Sequence, residues 1–256
     1  MKVRETSDAI ILAGGDASPE MHQLTKQTRR GLFEFHGRSY ADIVYSEMRN
    51  VDQIQRIAIV GPPELERGLS LQSNDIFVPE GSTLSDNLFK SINILRPAHH
   101  CLVTASDNPL LTATAFSDFL DRCDWSAGFS YPYLRHSDFL RAFPHATNIP
   151  VKFKDGIWIG GGCVRLNMEY LPALESGVKE VIASRKSLWR MLRLLGLSVP
   201  VLYASRQLTV GHIKQWCKKR IDVDADFVPD CDPAFAIDID DPEDWHYLGT
   251  FERFKS

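Results

Sequence analysis

The sequence predicts an α/β fold built around a mainly parallel sheet. Three observations predict it. Short runs rich in Ile and Val alternate with stretches of helical periodicity, the pattern of crossover units feeding parallel strands. A glycine pair, Gly14-Gly15, directly follows the first such run. Acids close two later runs, at Asp107 and within Asp238-Ile239-Asp240-Asp241.

Residues 9–13 form the first strand, and the polar stretch beyond Gly15 reads as a loop ending in Arg29-Arg30-Gly31-Leu32. Residues 39–51 are a helix, because Tyr40, Ile43, Val44 and Met48 return to one face. Residues 56–60 make the second strand. Pro62-Pro63 break the chain, a short helix runs through Leu65 and Leu69, and residues 75–78 give another brief strand before the loop Pro79-Glu80-Gly81-Ser82. A helix over residues 85–95 follows, its stripe formed by Leu84, Leu88, Ile92 and Leu95. Residues 101–105 are a buried central strand, residues 113–123 a helix with Phe116, Phe119 and Leu120 inward, and residues 127–134 the next strand.

There the alternation stops. Val151 to Ile159 carries a Lys-Asp-Gly turn between apolar/polar alternations, so an antiparallel hairpin interrupts the parallel core and an inserted lobe is expected around residues 135–205. Gly160-Gly161-Gly162 precede a strand over 163–166. Helices are expected over 168–174 and 187–195, a strand over 199–203, a helix over 209–219 with Val210, Ile213, Trp216 and Cys217 inward, a last strand over 235–239, and a terminal helix from Pro242. With no repeat, low-complexity tract or linker, residues 1–256 read as one domain.

At 256 residues, with 44% hydrophobic and 24% charged side chains, the chain has an ordinary globular balance. It lacks both the composition of a disordered protein and an apolar run of the ~18 residues a membrane span needs. A net charge of −4 argues against a broad nucleic-acid surface and leaves room for a small anionic ligand. The five cysteines form no close pair, which suits free thiols in a reducing compartment, and the polar start does not read as a signal peptide. A cytoplasmic protein is expected, either monomer or homodimer.

The chemistry lies at the strand ends. A glycine turn after a strand lets a ligand lie against the main chain and presents backbone N–H groups to phosphates, so a nucleoside triphosphate is the expected ligand. Lys26, Arg29 and Arg30 are placed to meet its outer phosphates. Ligands of open parallel sheets collect at the carboxyl ends of strands, so Asp107 points into the same crevice. There it suits Mg²⁺, which takes one or two carboxylates with phosphates and water, and Asp238 or Asp240 offers a second acid. Each feature also has a bland reading: a tight turn, a solvated charge run, a helix cap or an Asx turn. Lys152 and Lys154 on the hairpin, with Arg185-Lys186, are candidates to grip an anionic acceptor. Cys163 reads as a buried core thiol, and His99-His100 as a surface turn.

Four segments, Ile-Ile-Leu-Ala-Gly-Gly, Arg-Gly-Leu-Phe-Glu-Phe-His-Gly-Arg, Ala-Ser-Asp-Asn-Pro-Leu-Leu-Thr and Ala-Ile-Asp-Ile-Asp-Asp-Pro-Glu-Asp, occur in this order along nearly the whole chain. The set resembles the MobA-like nucleotidyltransferase family, relatives of molybdenum cofactor guanylyltransferase. The resemblance implies a Rossmann-like three-layer fold with a mostly parallel mixed sheet. It also implies transfer of a nucleoside monophosphate from a triphosphate to a small phosphorylated or hydroxylated acceptor, with Mg²⁺ bound and pyrophosphate released; GTP and CTP are the favoured donors. By position, Leu12, Ala13, Gly14 and Gly15 would contact the nucleotide, joined by Gly81, Ser82 and Asn87. Asp107 would hold the metal with Asp238 or Asp240, and Gly161 and Gly162 would lie on the acceptor side. Arg30 stands where relatives carry a catalytic lysine, Glu34 where they carry proline, and Cys163 where one bacterial branch has asparagine. Two other readings stay open: a nucleotide-sugar-dependent glycosyltransferase of related architecture, and a non-catalytic nucleotide-binding regulator.

Overall fold

The structure, a computed structural model, describes residues 4–35, 37–184 and 198–250. Its sheet begins with β1 (Ser7–Leu12), flanked in parallel by β4 (Ile54–Gly61) and β6 (His100–Ala105), with β5 (Ile76–Pro79) at the edge beyond β4. Ala9, Ile10 and Ile11 are fully buried, as a central strand covered on both faces requires. Beyond β6 the chain reverses. β10 (Cys163–Asn167) runs antiparallel to both β6 and β7 (Phe129–Arg135), and β11 (Ala225–Val228) pairs in parallel with β7. The far end of β7 continues into the hairpin β8 (Val151–Phe153) and β9 (Gly156–Gly160). A separate two-stranded ribbon joins β2 (Glu34–Phe35) to β3 (Arg38–Ser39).

Helices sandwich the sheet. On one face α2 (Tyr40–Arg49) and α5 (Ala113–Arg122) bury Tyr40, Val44, Met48, Phe116, Phe119 and Leu120 in the larger core. On the other, α4 (Leu84–Leu95) packs Leu88, Ile92 and Leu95 on Ile10, Ala58 and Val103. Each such side chain contributes roughly 1.5–3 kcal/mol on burial. Side-chain oxygens of Ser39, Thr83 and Thr112 cap these three helices, which explains their sharp starts. The strands and helices expected up to residue 134 are present, with their ends moved by a residue or a few, and so is the interrupting hairpin.

Four regions differ from expectation. The polar stretch after Gly15 contains α1 (Pro19–Thr25), started by the Ser18 cap and by Pro19, whose missing N–H costs nothing in a first turn. Another helix, α6 (His136–Ala142), follows β7. Residues 199–203 lie in a helix rather than a strand, Ser198–Ala204; Pro200 fits its first turn but would remove a ladder donor from a sheet. Residues 235–239 also form no strand. A 3-10 turn, Pro233–Ala236, is capped by Asp232, and the extended segment after it ties the Ile239 N–H to the Asp107 carbonyl at 2.7 Å. The parallel neighbour of β7 is instead the short β11, whose four residues are too few to show a period. The other described helices are α7 (Leu171–Ser184), α9 (Val210–Ile221) and α10 (Pro242–Leu248), with α3 (Pro63–Glu66) a single turn and α8 the Ser198–Ala204 helix. The helix expected over 187–195 lies outside the described residues. β10 falls inside the expected 135–205 lobe yet is an interior strand of the sheet.

All five cysteines are buried and unpaired. Among the described residues no helix is long and apolar enough to cross a membrane.

Candidate active site

Parallel pairing fixes the site. Leu12 pairs with Ala105, so Gly14 and Asp107 leave adjacent strands at the same carboxyl rim. The Ile239–Asp107 hydrogen bond brings Asp238 and Asp240 to that rim without a strand. A cleft of about 1220 Å³ opens there, and its lining includes Leu12, Gly14, Gly15, Arg29, Arg30, Gly81, Ser82, Asn87, Asp107, Gly161 and Gly162.

The glycine turn is sterically demanding. A Cβ at Gly14 would come within 2.5 Å of Glu80 Oε2 and 2.7 Å of Asn87 Nδ2, and Gly15 adopts φ +111°, a region other residues avoid. The Gly15 N–H donates to Glu80 Oε2 at 3.1 Å, and Arg29 pairs with the same carboxylate and, at 2.5 Å, with Asp16. Glu80 thus lies on the donors that the sequence assigns to phosphate. Asn87 reaches back from the first turn of α4 to accept the Gly81 N–H at 2.5 Å, which ties the loop to the helix.

Arg30 is central. Its N–H donates to the Gly15 carbonyl, and Nε to the Asp16 carbonyl at 3.1 Å. Its Nη1 stands 3.4 Å from Asp240 Oδ2 and 3.8 Å from Asp107 Oδ2, bridging the two acids. Gly31 lets this turn close, since a Cβ there would strike the Ala13 carbonyl oxygen.

Burial pushes the Asp107 carboxyl up to about 6, the Asp238 charge adds to the rise, Arg30 opposes it and Asp240 reinforces it. Asp244, on α10, rises to about 7 through burial and the neighbouring Asp241, Asp238, Asp240 and Glu243. Such crowding of like charges favours a bound cation. Oxygen donors alone make the set one that suits a hard ion such as Mg²⁺. Among the described residues the tightest carboxylate trio is Asp240, Asp241 and Asp244, all within 4.8 Å of one another; Asp107 and Asp238 stand outside it. Asp241 also caps α10.

Other candidates are engaged elsewhere in the fold or held by their own backbone contacts. Lys26 caps α1 in the left-handed conformation and donates its ammonium to the Gln23 carbonyl, away from the cleft lining. Ala13 is buried, its N–H bonded to the Val60 carbonyl. Lys152 is exposed on β8 and does not line the cleft. Gly161 and Gly162 donate to the Pro132 and Phe235 carbonyls, and a Cβ at Gly161 would crowd Phe235 and Pro132. Arg185 and Lys186 lie outside the described residues. Cys163 is buried, and burial holds its thiol far above the range of a nucleophile. His100 is no surface residue: it opens β6, packs edge-on against Trp125, and sets Nδ1 3.1 Å from the buried Arg165.

Sequence reasoning missed Asp16, Glu80 and Asp244, and named Asp241 only as part of its acidic run. Glu80 sits in the quoted loop before Gly81, but its reach to Gly15 joins positions 65 apart. It also took Ile213 and Trp216 for core. They are half-buried and line the cleft.

No protein-family model and no curated protein sequence matches the chain. Solved structures do. A hypothetical transferase from Thermus thermophilus superposes with a TM-score of 0.82 at 22% identity, over 93% of this chain and 99% of that one. For 4-diphosphocytidyl-2C-methyl-D-erythritol synthase from Anaerococcus prevotii the TM-score is 0.61 at 13% identity, over 97% and 96%. CMP:2-keto-3-deoxy-manno-octonic acid synthetase, complexed with CTP, gives 0.56 at 12%, over 95% and 96%. With helices on both faces of a mostly parallel mixed sheet, and these neighbours over nearly its whole length, the chain has the α/β nucleotidyltransferase-type fold.

Proposed function

We propose that the chain is a Mg²⁺-dependent nucleotidyltransferase of MobA-like type, moving a nucleoside monophosphate from GTP or CTP to a small phosphorylated or hydroxylated acceptor. The observation that carries this is the convergence of the Gly14-Gly15 turn, Arg30 and Asp107 at one rim, with Arg30 3.8 Å from Asp107. Two fold neighbours, the 4-diphosphocytidyl-2C-methyl-D-erythritol synthase and the CMP:2-keto-3-deoxy-manno-octonic acid synthetase complexed with CTP, support a nucleotide donor.

The acceptor oxygen forms a bond to the α-phosphorus; the bond from that phosphorus to the β-phosphate oxygen breaks, and its electron pair leaves with pyrophosphate. A phosphate acceptor sheds no proton, whereas a hydroxyl acceptor releases one to water. Charge builds on phosphate oxygens throughout, so positioned cations and amides do the main work. Arg30 neutralises that charge, and the Gly14-Gly15 amides orient the phosphates once Glu80 yields. Leu12, Gly81, Ser82 and Asn87 form the side of the cleft that receives the nucleoside. Asp107, with Asp238 and Asp240, would hold Mg²⁺, which supplies charge neutralisation to the polyphosphate when bound.

The test is pyrophosphate release with each triphosphate, Mg²⁺ and a panel of phosphorylated acceptors. Release with one triphosphate, falling at least a hundredfold in Asp107→Asn, is expected. Full activity in that variant removes Asp107 from the metal site, and nucleotide binding without product favours the non-catalytic regulator.

A further inference from the structure

The cleft extends well past the candidate active site. Its volume of about 1220 Å³ exceeds the ~300–1,000 Å³ of an ordinary single-ligand pocket. Its two halves differ in chemistry. The half at β1 and α4 carries the glycine turn, Arg30, Glu80, Asn87 and Asp107. The half over β10, β7 and β11 is lined by Val164, Tyr131 and Phe227 from the sheet and by Ile213 and Trp216 from α9. Arg220 is the one charged side chain among the described residues lining that half.

Among the described residues these apolar groups are only half-covered. Along β7, Phe129, Tyr131 and Tyr133 are half-buried and alternate with buried Ser130, Pro132 and Leu134. Phe227 stands edge-on to Tyr131 with ring centroids 6.1 Å apart, extending the row onto β11. A Cβ at Gly160 would touch the Tyr131 hydroxyl at 2.5 Å, so the glycine lets that ring lie against the backbone. From β6, whose following turn carries Asp107, to β11 there are three strand spacings, or about 14 Å. The floor is continuous over that distance.

We propose that this half receives an amphipathic acceptor. Its phosphate or hydroxyl end reaches Asp107 and Arg30, while an apolar body up to about 14 Å long lies on Tyr131, Val164 and Phe227 beneath Ile213 and Trp216. The inference rests on the nucleotidyl-transfer reading, because that reading places the reacting end at Asp107. A sugar phosphate would set most of its hydroxyls against apolar surface, with few partners beyond the Tyr131 hydroxyl and Arg220, which is costly. An alkyl or aryl body gains by leaving water.

Monoalkyl phosphates from ethyl to octyl, kept below micelle-forming concentrations, test this. They are titrated calorimetrically into the full chain saturated with Mg²⁺ and a non-hydrolysable triphosphate. Kd is expected to fall roughly three- to fourfold per added methylene. Ile213→Glu and Phe227→Ser should each weaken octyl phosphate at least tenfold while leaving ethyl phosphate unchanged; Ile213→Ser replaces the first variant if it fails to fold. A flat series in the unaltered protein, or a slope that survives in both variants, overturns the proposal. The thermal upshift given by nucleotide with Mg²⁺ is read separately. Its absence defeats the transfer reading, whereas its presence beside a flat series defeats the apolar acceptor alone.

Discussion

Gly31 and Asp244 show how single residues hold the site. Gly31 lets the Arg30 turn press against β1, where any side chain would strike the Ala13 carbonyl and come within 3.2 Å of Pro62. Gly31→Ala is therefore expected to cost ~1–3 kcal/mol, read from the denaturant midpoint, and to weaken nucleotide binding as Arg30 shifts. Asp244 is the reverse case, a buried carboxyl among acids. Its pKa in the folded state, about 7, lies above the ~3.9 of an unfolded chain. The folded state therefore keeps the proton longer, and stability declines as pH rises through that window. Asp244→Asn should raise Tm by about 2–4 °C at pH 8, the equivalent of ~1 kcal/mol, and change little near pH 4. A lower Tm at pH 8 would mean that the carboxylate is stabilising.

Among elements, legibility followed period and caps. The helices α2, α4 and α5 were readable because their apolar stripes and Ser or Thr caps agree. The Thr83 oxygen accepts the Asp86 N–H at 3.1 Å and starts the helix that carries Asn87. Thr83→Ala is expected to cost about 1 kcal/mol in chemical denaturation, and an unchanged midpoint would assign the start of α4 to packing instead. Short elements hid their nature. Val199 to Tyr203 has β-rich composition, yet Pro200 suits a first helical turn, and the four-residue β11 is fixed by its neighbour rather than by its own pattern. The acids at 238–240 were placed at the correct rim by a mistaken strand. What holds them is the Ile239 hydrogen bond to the Asp107 carbonyl together with the Arg30–Asp240 ion pair, contacts across more than a hundred residues that no local pattern encodes. On α9 the periodicity was read as a core face. Period reports that a face is apolar, and it is silent on whether protein or ligand covers it.

For the molecule as a whole, pH should act also through the end of the sheet remote from the cleft. Burial pushes the His100 imidazole down to about 4, helped by Arg165 and then His99. The unfolded chain, with a histidine near 6.5, binds the proton first. Stability is thus fully present above about 6.5 and declines as pH falls toward 4. Measured against His100→Gln, which shares the opposite trend of Asp244, the protein is expected to lose ~2–3 kcal/mol more as pH falls from about 7 to about 4. If both lose stability in parallel, another group titrates there. Arg165 in this region hydrogen-bonds Ser130 Oγ at 2.7 Å and the Asp124 carbonyl at 2.8 Å, which a lysine could not reproduce from one position.

The reversed β10 has a consequence for altering this protein by insertion. Along β1, β6 and β7 the chain meets the ligand rim on leaving each strand, but β10 runs the other way, so Gly161-Gly162 reach that rim on entry. New loop sequence meant to change what the protein accepts belongs after the first three strands and ahead of the fourth. Grafted behind Asn167, the same loop would emerge beside His100 and leave ligand choice untouched.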